Sequence, residues 1–240
     1  MGKPGKNTEG LPLERRLLSR SYETSMDAIS EALRSGAAGD EALAAALPQG
    51  TKDGRAFIAA ALGDTRGAAG DRALREAFLF PDGSRDLKCA VLVALAKRHG
   101  ADASADFENG LRSSDGVVKS YAAICFAGAG DDRAWDAIFD RLRTHIRNPT
   151  RRASMEPSEV TFALAYLSRH LERAGSDRCL RLVTIIRDQW ENLSQKERAW
   201  LELHWEDSRP GGPEPRSVHP PEAEIIRKAI RGPLLDAPAY

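Results

Sequence analysis

An arginine-rich segment at residues 141–154 is the part of the sequence whose side chains could do the most chemistry. It contains five arginines and one histidine, and it contains no acidic residue. Guanidinium groups hold carboxylates and phosphates through paired, charge-assisted hydrogen bonds. The segment is therefore a candidate binding site, and its candidate binding residues are Arg141, Arg143, Arg147, Arg151 and Arg152.

Helix geometry explains part of this charge. The pair Asn148-Pro149 stops a helix, so Arg141 and Arg143 are predicted to lie in the last helical turn, where positive charge is favourable beside free carbonyl groups. The other three arginines could pair with acids inside the chain, face an acidic protein partner, or bind nucleic acid or another phosphate. The run Arg151-Arg152-Ala153-Ser154 also resembles a basophilic kinase site, which makes Ser154 a candidate for phosphorylation.

The charge of the whole chain limits which partners these arginines are expected to bind. Basic and acidic residues are equal in number, 35 of each, so the formal net charge is zero. Proteins that bind nucleic acid over a broad surface usually carry a basic domain. The composition therefore favours a protein partner, and it restricts nucleic-acid binding to a local patch.

Motifs of the common enzyme classes are absent. The sequence has no GxSxG, no HExxH and no Walker motif. Its five histidines include no pair at the four-residue spacing with which one helix face binds a metal. The glycine-rich stretches GAAG and GAGDD are predicted to be left-handed helix ends. We therefore expect no catalytic residue, no metal and no cofactor.

The cysteines and the hydropathy pattern predict a location. Cys89, Cys125 and Cys179 lie in apolar helical patterns without a CxxC pair, which predicts buried free thiols in a reducing compartment. The first twenty residues lack the apolar core of a signal peptide. No run approaches the roughly 20 apolar residues that span a bilayer. We expect a cytoplasmic protein without a membrane partner.

Helical periodicity dominates from about Thr24 onward, and strand-like alternation is almost absent, so the sequence predicts an all-α protein. Three segments share a template of a basic residue, a small or aliphatic pair at the third and fourth positions after it, and a large apolar residue at the seventh. Their starts are 33 and 31 residues apart. The three copies are residues 55–62, 88–95 and 119–126, and a weaker fourth begins at Glu159.

An Asp-Gly pair precedes each of the three copies, at Asp53, Asp82 and Asp115. Each aspartate is predicted to cap the following helix by accepting its unpaired backbone N–H groups. Shorter companion helices are predicted between the copies, around residues 71–78, 107–111 and 134–142. Each has one apolar stripe and is too short to be stable unless it docks on a neighbour.

This template and its Asp-Gly turn resemble the short HEAT-like repeats of bacterial proteins. The resemblance covers about residues 40–145 and implies a right-handed α-solenoid of helix pairs. Tetratricopeptide repeats have a similar period, but their W-x2-L-G-x2-Y pattern is absent. The HEAT-like superfamily includes scaffolds, adaptors, lyase-type subunits and DNA glycosylases, so the resemblance implies a fold and leaves the function open.

Longer amphipathic helices are predicted in the second half of the chain, at residues 156–173 and 176–193. The second of these has an apolar stripe of Leu180, Val183, Ile186 and Trp190. A further helix around residues 196–205 carries Trp200 and Trp205, which are predicted to fill the core as part of a cap. These helices form a larger helical C-terminal unit that follows the repeat array.

The predicted organisation has five parts. They are a flexible N-terminal tail at residues 1–20, a HEAT-like array at 21–145, a basic interrepeat loop at 146–155, a C-terminal helical unit and cap at 156–207, and a Pro/Gly linker with a short helix (222–230) and tail at 208–240.

These observations favour a non-catalytic scaffold or adaptor that binds a protein partner through the concave face of the solenoid, the basic segment or both. The alternative is a HEAT-like nucleic-acid-binding protein or DNA-repair enzyme that uses the arginines of residues 141–152. That alternative predicts that Arg55, Lys88 and Lys119 line up with these arginines on one concave face. HEAT-like alkylpurine glycosylases also carry paired tryptophans with an acid, and no Trp-Trp-Asp cluster occurs here.

Overall fold

The computed structural model describes residues 11–147, 159–171 and 176–213. These residues form α-helices joined by turns and short 3-10 helices, and they contain no β-strand, which confirms the all-α prediction. Contacts between Cα atoms divide the chain into two compact units, the first ending at His99 and the second beginning at Gly100. Most of the predicted basic loop at 146–155 and the predicted helix at 222–230 lie outside the described residues.

Every template segment and every companion segment lies in a helix. The first unit contains α1 (Leu13–Leu17), α2 (Tyr22–Arg34), α3 (Gly36–Ala46), α4 (Lys52–Leu62), α5 (Ala68–Phe78) and α6 (Arg85–His99). The second contains α7 (Ser104–Leu111), α8 (Gly116–Ala129), α9 (Trp135–Arg147), α10 (Glu159–Arg169), α11 (Ser176–Asp188) and α12 (Gln195–His204). The three template copies lie in α4, α6 and α8, and the companion segments lie in α5, α7 and α9.

The first unit consists of two layers of helices. One layer is α1, α3 and α5, and the other is α2, α4 and α6, with each helix also packed on the next one along the chain. The template explains the close contact of α4 with α6, because its paired positions, Ile58-Ala59 and Val91-Leu92, are fully buried. Small and aliphatic side chains at these positions let the two helices approach closely.

Two ion pairs show that α4 and α6 run in the same direction. Arg55 near the start of α4 reaches Asp82 just before α6, with 2.7 Å between Nη1 and Oδ2. Lys97 near the end of α6 reaches Asp64 just after α4, with 2.7 Å between Nζ and Oδ1. Residues separated by one repeat therefore occupy equivalent places on the two helices.

The core of the second unit is α10, in which every side chain from Val160 to Ser168 is buried. Helices α8, α9 and α12 pack against it. Its polar atoms have partners, since the Tyr166 hydroxyl donates to the carbonyl of Asp131 at 2.6 Å and the carbonyl of Leu167 accepts from the Trp135 indole at 3.4 Å. Burial raises the pKa of Tyr166 well above its usual value, so this hydroxyl stays a neutral donor.

The capping prediction is correct for one aspartate and wrong for two. Asp115 caps α8 and accepts from the backbone N–H groups of two residues in its first turn. Helix α4 begins two residues earlier than a cap at Asp53 requires, so Asp53 lies inside its first turn and the Thr51 hydroxyl is the cap. Before α6, the Ser84 hydroxyl accepts from Leu87 at 3.1 Å, while Asp82 pairs with an arginine instead.

The predicted stripe of α11 is also partly wrong. Leu180 is 67% exposed and Trp190 is only half-buried, while Leu182 and Ile185 join Val183 and Ile186 in the core. The helix is rotated because Arg178 and Arg181 face α9. Their guanidinium groups lie 5.6 Å and 4.8 Å from the ring centres of two α9 aromatic residues, and both pair with one α9 aspartate. These contacts turn Leu180 to the outside.

The remaining core predictions are confirmed with one exception. Trp200 and Trp205 are both buried, as a cap requires. Cys89 and Cys125 are buried free thiols. Cys179 is free but only half-buried, and its Sγ atom lies 4.0 Å from the carbonyl oxygen of Leu171.

Candidate functional site

Three of the candidate binding arginines lie on α9, and each has a different environment. The prediction that Arg141 and Arg143 lie in the last helical turn is wrong, because α9 continues to Arg147. Arg141 is half-buried, and its Nη2 donates to the Gly116 carbonyl at 3.3 Å and the Ser120 hydroxyl at 3.4 Å in α8. Arg143 pairs with Asp140, 3.2 Å away and one helical turn earlier. Arg147 is exposed in the last turn. Two of these three arginines therefore contact groups of their own chain.

The other predicted residues of this segment lie outside the described residues. They are Arg151, Arg152 and the candidate phosphorylation site Ser154.

A narrow crevice beside these arginines offers no room for a ligand. Arg141 and His145 line it together with apolar side chains of α8, α9 and α10, and it does not admit a water molecule. The His145 ring is held by its own helix, since Nδ1 lies 3.0 Å from the carbonyl oxygen of Arg141. The described end of α9 thus presents charge on its surface rather than a binding pocket.

The basic template residues of the first unit are also engaged within the chain. Arg55 donates to Asp82 and to the Pro48 carbonyl at 2.8 Å, and its guanidinium group lies over the Phe80 ring, 5.5 Å from the centre. The Lys88 ammonium lies 6.0 Å from the centre of an α5 phenylalanine ring. Arg55 thus links α4 to the segments that follow α3 and α5, and Lys88 links α6 to α5.

A polar cluster that the sequence patterns did not reveal is buried in the first unit. Its centre is Asp40 on α3, which is 1% exposed, and Arg98 on α6, whose side chain is 2% exposed. Asp40 accepts from the Thr65 hydroxyl, from the Gly70 backbone N–H at 2.8 Å and from Arg98 at 3.3 Å. Arg98 also donates to Asp71 at 3.1 Å.

Asp40 acts as the N-terminal cap of α5 from another helix. The residue at the cap position is Gly67, which has no side chain to accept a hydrogen bond. Burial alone would raise the pKa of Asp40, but the hydrogen bonds from Thr65, Gly70 and Arg98 and the charge of Arg98 lower it. The ionised carboxylate is thus the stable form at a helix N-terminus.

This arrangement corrects one glycine prediction. The first GAAG stretch begins with the left-handed residue predicted for a helix end, since Gly36 has a φ of 59°. The second, at residues 67–70, has negative φ, as does Gly130 in GAGDD. Gly67 and Gly70 are needed for space instead, because a Cβ atom on either would collide with the Asp40 carboxylate.

Arg98 and Arg169 perform the same task in the two units. Arg98 donates to the Leu62 carbonyl at the end of α4 at 2.7 Å, and Arg169 donates to the Phe126 carbonyl near the end of α8 at 2.8 Å. Leu62 and Phe126 both occupy the seventh position of the template. In each unit an arginine thus satisfies carbonyls at the end of the neighbouring helix, which would otherwise lack partners.

A sequence signal for this arginine was present. The pairs Arg98-His99 and Arg169-His170 each follow the first template position, Lys88 or Glu159, by ten residues. This recurrence supports the interpretation of the segment that begins at Glu159 as a fourth copy of the template.

An exposed, mostly apolar surface lies on the layer of α2, α4 and α6. Tyr22 and Phe57 are 63% and 41% exposed, and their rings meet edge to face with 5.8 Å between the centres. Half-buried apolar residues continue the surface along each helix. We call it the α2–α4–α6 face, and its residues are Tyr22, Met26, Phe57, Ala60, Ala90 and Val93.

The repeat spacing places these residues on one side of the layer. Phe57 and Ala90 are 33 residues apart, as are Ala60 and Val93, so each pair occupies equivalent positions of α4 and α6. Helices α3 and α5 pack against this layer from the other side. Large exposed aromatic side chains on such a surface are typical of protein interaction sites.

Comparison with known proteins provides no family for this architecture. No protein-family model matches the chain, and no curated protein is significantly similar to it. Over the described ranges, none of the helices has the length and apolar character needed to cross a membrane. Across the same ranges, no group of three or more His, Cys, Asp and Glu side chains is arranged to hold a metal ion.

Proposed function

We propose that this chain is a non-catalytic interaction module built from HEAT-like helix pairs, which binds a protein partner through the α2–α4–α6 face. In a right-handed solenoid of such pairs, this layer lines the concave side. Its free cysteines suit a reducing compartment such as the cytoplasm.

The observation that carries the proposal is the exposed Tyr22–Phe57 pair. Burying aromatic rings contributes more to protein association than burying most other side chains. The two rings contact each other, so each limits the movement of the other and less entropy is lost on binding. Half-buried Met26 and Ala60 lie one helical turn after Tyr22 and Phe57, so the apolar surface continues beyond the two rings.

The arginine-rich segment is a second contact in this proposal. Arg147 is exposed at the end of α9 and can meet an acidic residue of the partner. Arg141 and Arg143 contribute less, because they already contact groups of their own chain.

A nucleic-acid-binding function is less well supported. Arg55, Arg141 and Arg143 all make contacts within the chain, which leaves fewer described cations for a phosphate backbone. Nucleic-acid binding through the remaining arginines predicts affinity for duplex DNA that falls steeply with salt. No binding at low salt would remove this alternative.

Affinity capture followed by mass spectrometry tests the proposal, with the wild-type chain beside three variants. A Tyr22→Ser/Phe57→Ser variant removes the aromatic pair, and an Arg147→Glu/Arg151→Glu/Arg152→Glu variant reverses the charge of the basic segment. Leu79→Ser is the matched control, because Leu79 is a 76% exposed apolar residue of the first unit outside the face.

We expect the face variant to lose specific partners that the Leu79→Ser control retains. We expect the arginine variant to recover the same partners in smaller amounts. Recovery of the same proteins in equal amounts by all four baits would show that neither surface binds a partner.

A further inference from the structure

We infer that the α2–α4–α6 face binds an amphipathic helix of the partner, and that this helix carries two basic residues seven positions apart beside its apolar stripe. The inference rests on the proposed function for the role of the face, and it names the kind of segment that the face recognises. It follows from the order of charged and apolar residues along α4 and α6 and from the spacing of these two helices.

Two exposed acids share a helix side with apolar residues of the face. Asp53 lies four residues before Phe57 on α4, and in the same way Asp86 lies four residues before Ala90 on α6. Residues four apart are neighbours on a helix surface, about 6 Å apart along the axis. Both acids are exposed, and within the described ranges neither forms an ion pair. Each helix therefore presents an acid one turn before its apolar residues.

The repeat places the two acids side by side. Asp53 and Asp86 are 33 residues apart, and the two ion pairs between the segments of α4 and α6 show that these helices run in the same direction. Packed helix axes are about 10 Å apart, so the two acids border the apolar residues in a row of about that length. Seven residues of an α-helix also span about 10 Å. A helix that lies across α4 and α6 therefore places one basic residue at each acid.

Two basic residues adjoin these acids in the sequence without lying on the same helix side. Lys52 and Arg85 each come one residue before an acid. One residue corresponds to about 100° around an α-helix, so each basic residue is attached well away from the side that carries its neighbouring acid. They still keep the net charge of this end low. The apolar contact therefore supplies most of the affinity, and the acids supply the preference for a basic segment.

The apolar part of the face suits the apolar stripe of a helix. Tyr22 and Phe57 are exposed rings on α2 and α4, and half-buried Ala60 and Val93 continue the surface further along α4 and α6. From α2 to α6 the surface spans two interaxial distances, about 20 Å, which matches about 13 helical residues. An apolar helical stripe on such a surface is a common mode of peptide recognition.

A helical segment fits this face better than an extended one. Among the six residues that define the face, the Tyr22 hydroxyl is the one good hydrogen-bonding group. The backbone N–H and C=O groups of the three helices are already bonded along each helix. An extended peptide would therefore lose water from its own backbone groups without gaining partners, whereas a helix bonds these groups internally.

Selection from a random peptide library tests the inference without assuming which protein is the partner. A displayed library of peptides of about 16 residues, long enough to cross the face, is selected on the immobilised full chain. The enriched peptides are then sequenced, and their affinities are measured by fluorescence polarisation. We expect them to share apolar residues at three- and four-residue spacing and Lys or Arg at two positions seven residues apart. We also expect circular dichroism to show that they become helical on binding.

Removing the acids tests the charged part of the contact. Asp53→Asn/Asp86→Asn keeps the side-chain size, and we expect it to weaken binding of the enriched peptides about threefold to tenfold and to reduce the salt dependence of binding. Glu41→Gln/Glu76→Gln is the matched control, because it removes two exposed acids from α3 and α5 in the other layer. The control should bind the peptides as tightly as the wild type does.

Removing the aromatic rings tests the apolar part. We expect Tyr22→Ser/Phe57→Ser to weaken the same peptides at least tenfold, while Leu79→Ser leaves their affinity unchanged. Thermal unfolding of every variant shows that a lost affinity is not a lost fold.

Several results would overturn the inference. Enriched peptides without paired basic residues, peptides that stay non-helical when bound, or equal affinity for the wild type and Asp53→Asn/Asp86→Asn would each reject the basic helix as the ligand. Failure to enrich any peptide that requires Phe57 would reject it too. A dimer in light scattering that dissociates in Tyr22→Ser/Phe57→Ser would assign the face to a second copy of the chain instead.

Partner capture separates this inference from the proposed function. A captured partner that requires Phe57, but is retained equally by Asp53→Asn/Asp86→Asn, would uphold the function and reject the inference. Peptides and partners that bind Tyr22→Ser/Phe57→Ser as well as they bind the wild type would reject the face as a binding site, and both proposals with it.

Discussion

Asp40 lies on the buried side of a helix that is otherwise rich in alanine, and it joins three helices through hydrogen bonds to Thr65, Gly70 and Arg98. Burying a carboxylate and a guanidinium is costly, but removing one partner of an existing pair is costlier still. The stability of the first unit therefore depends on this residue more than on a typical surface charge.

The Asp40→Asn substitution should lower the free energy of unfolding by about 3 kcal/mol, the lower end of the range for broken buried pairs. The lower end applies because Asp71 still pairs with Arg98. Urea denaturation followed by circular dichroism measures the change. The neighbouring exposed Glu41→Gln should stay within about 0.5 kcal/mol of the wild type, and an equal loss in both variants would contradict the assigned role.

Acid should weaken the same cluster. Burial would raise the pKa of Asp71, but the hydrogen bond and charge of His99, with Arg75 and Arg98, lower it, and the pKa of Asp40 is lowered as well. Groups with a lowered pKa in the folded state stabilise it fully above their unfolded value, about 3.9, and this contribution is lost as the pH falls through the folded pKa.

We therefore expect the free energy of unfolding to decline as the pH falls below about 4, and to decline less steeply in Asp40→Asn. Urea titrations between about pH 6 and pH 3 measure both slopes. Equal slopes in the two proteins would mean that the pKa of Asp40 is the same in the folded and unfolded states.

The sequence predicted the positions of the site residues better than their partners. Arg141 and Arg143 were expected in the last turn of a helix, and they lie on α9 but before its last turn, because the helix continues to Arg147. The hydrogen bonds from Arg141 to α8 were not predictable, because they depend on how two helices pack. The pairing of Asp40 with Arg98 spans 58 residues and has the same cause.

At the scale of single helices, local patterns were reliable because periodicity depends on the backbone alone. Template and companion helices were predicted at nearly correct positions, while their ends were less accurate. Thr51 and Ser84 were overlooked as caps because the Asp-Gly pair was more conspicuous than a single hydroxyl. The rotation of α11 was missed because two arginines, rather than apolar residues, face its neighbour.

Alanine substitutions can distinguish the residues that cap a helix from one that does not. Asp115→Ala should destabilise the protein by about 1 kcal/mol, because it removes the cap of α8, and Thr51→Ala should do the same for α4. Asp53→Ala removes only a favourable charge from a first turn and should cost a few tenths of a kcal/mol. Thermal unfolding of the three variants measures how much stability each one loses. A larger loss for Asp53→Ala than for Thr51→Ala would mean that Asp53, as first predicted, is the cap of α4.

Two glycines at helix starts should respond oppositely to alanine. A Cβ atom at Gly70 would lie 2.5 Å from Asp40 Oδ1 and 2.8 Å from Leu62 Cδ2, so Gly70→Ala should cost about 1–3 kcal/mol despite the better helix propensity of alanine. Gly116 has open space around it, so Gly116→Ala should stabilise α8 by about 0.4–1 kcal/mol. Chemical denaturation measures both signs, and a stabilising Gly70→Ala would disprove the close contact.

At the scale of the whole molecule, the two compact units differ in their fluorescence. All four tryptophans, Trp135, Trp190, Trp200 and Trp205, belong to the second unit. Tryptophan emission therefore reports the second unit, while circular dichroism reports the helices of both. Comparing the two signals therefore distinguishes unfolding of the first unit from unfolding of the second in the intact chain.

We expect Gly70→Ala to separate the two signals during denaturation. The circular dichroism transition should begin at lower denaturant concentration, because the first unit is weakened, while the tryptophan transition keeps its midpoint. Asp115→Ala, in the second unit, should instead shift the tryptophan transition. Coincident shifts of both signals in both variants would mean that the units unfold as one.

Two arginines donate hydrogen bonds to carbonyls at the end of a neighbouring helix, and this affects how a chain of helix pairs can become longer. Arg98 belongs to one helix pair but completes the end of the pair before it, and Arg169 does the same in the second unit. Deleting a pair would strip its predecessor of hydrogen-bond donors as well as apolar cover. A gene duplication that copies a pair together with its arginine supplies both at once, so growth by whole pairs costs less than growth by single helices.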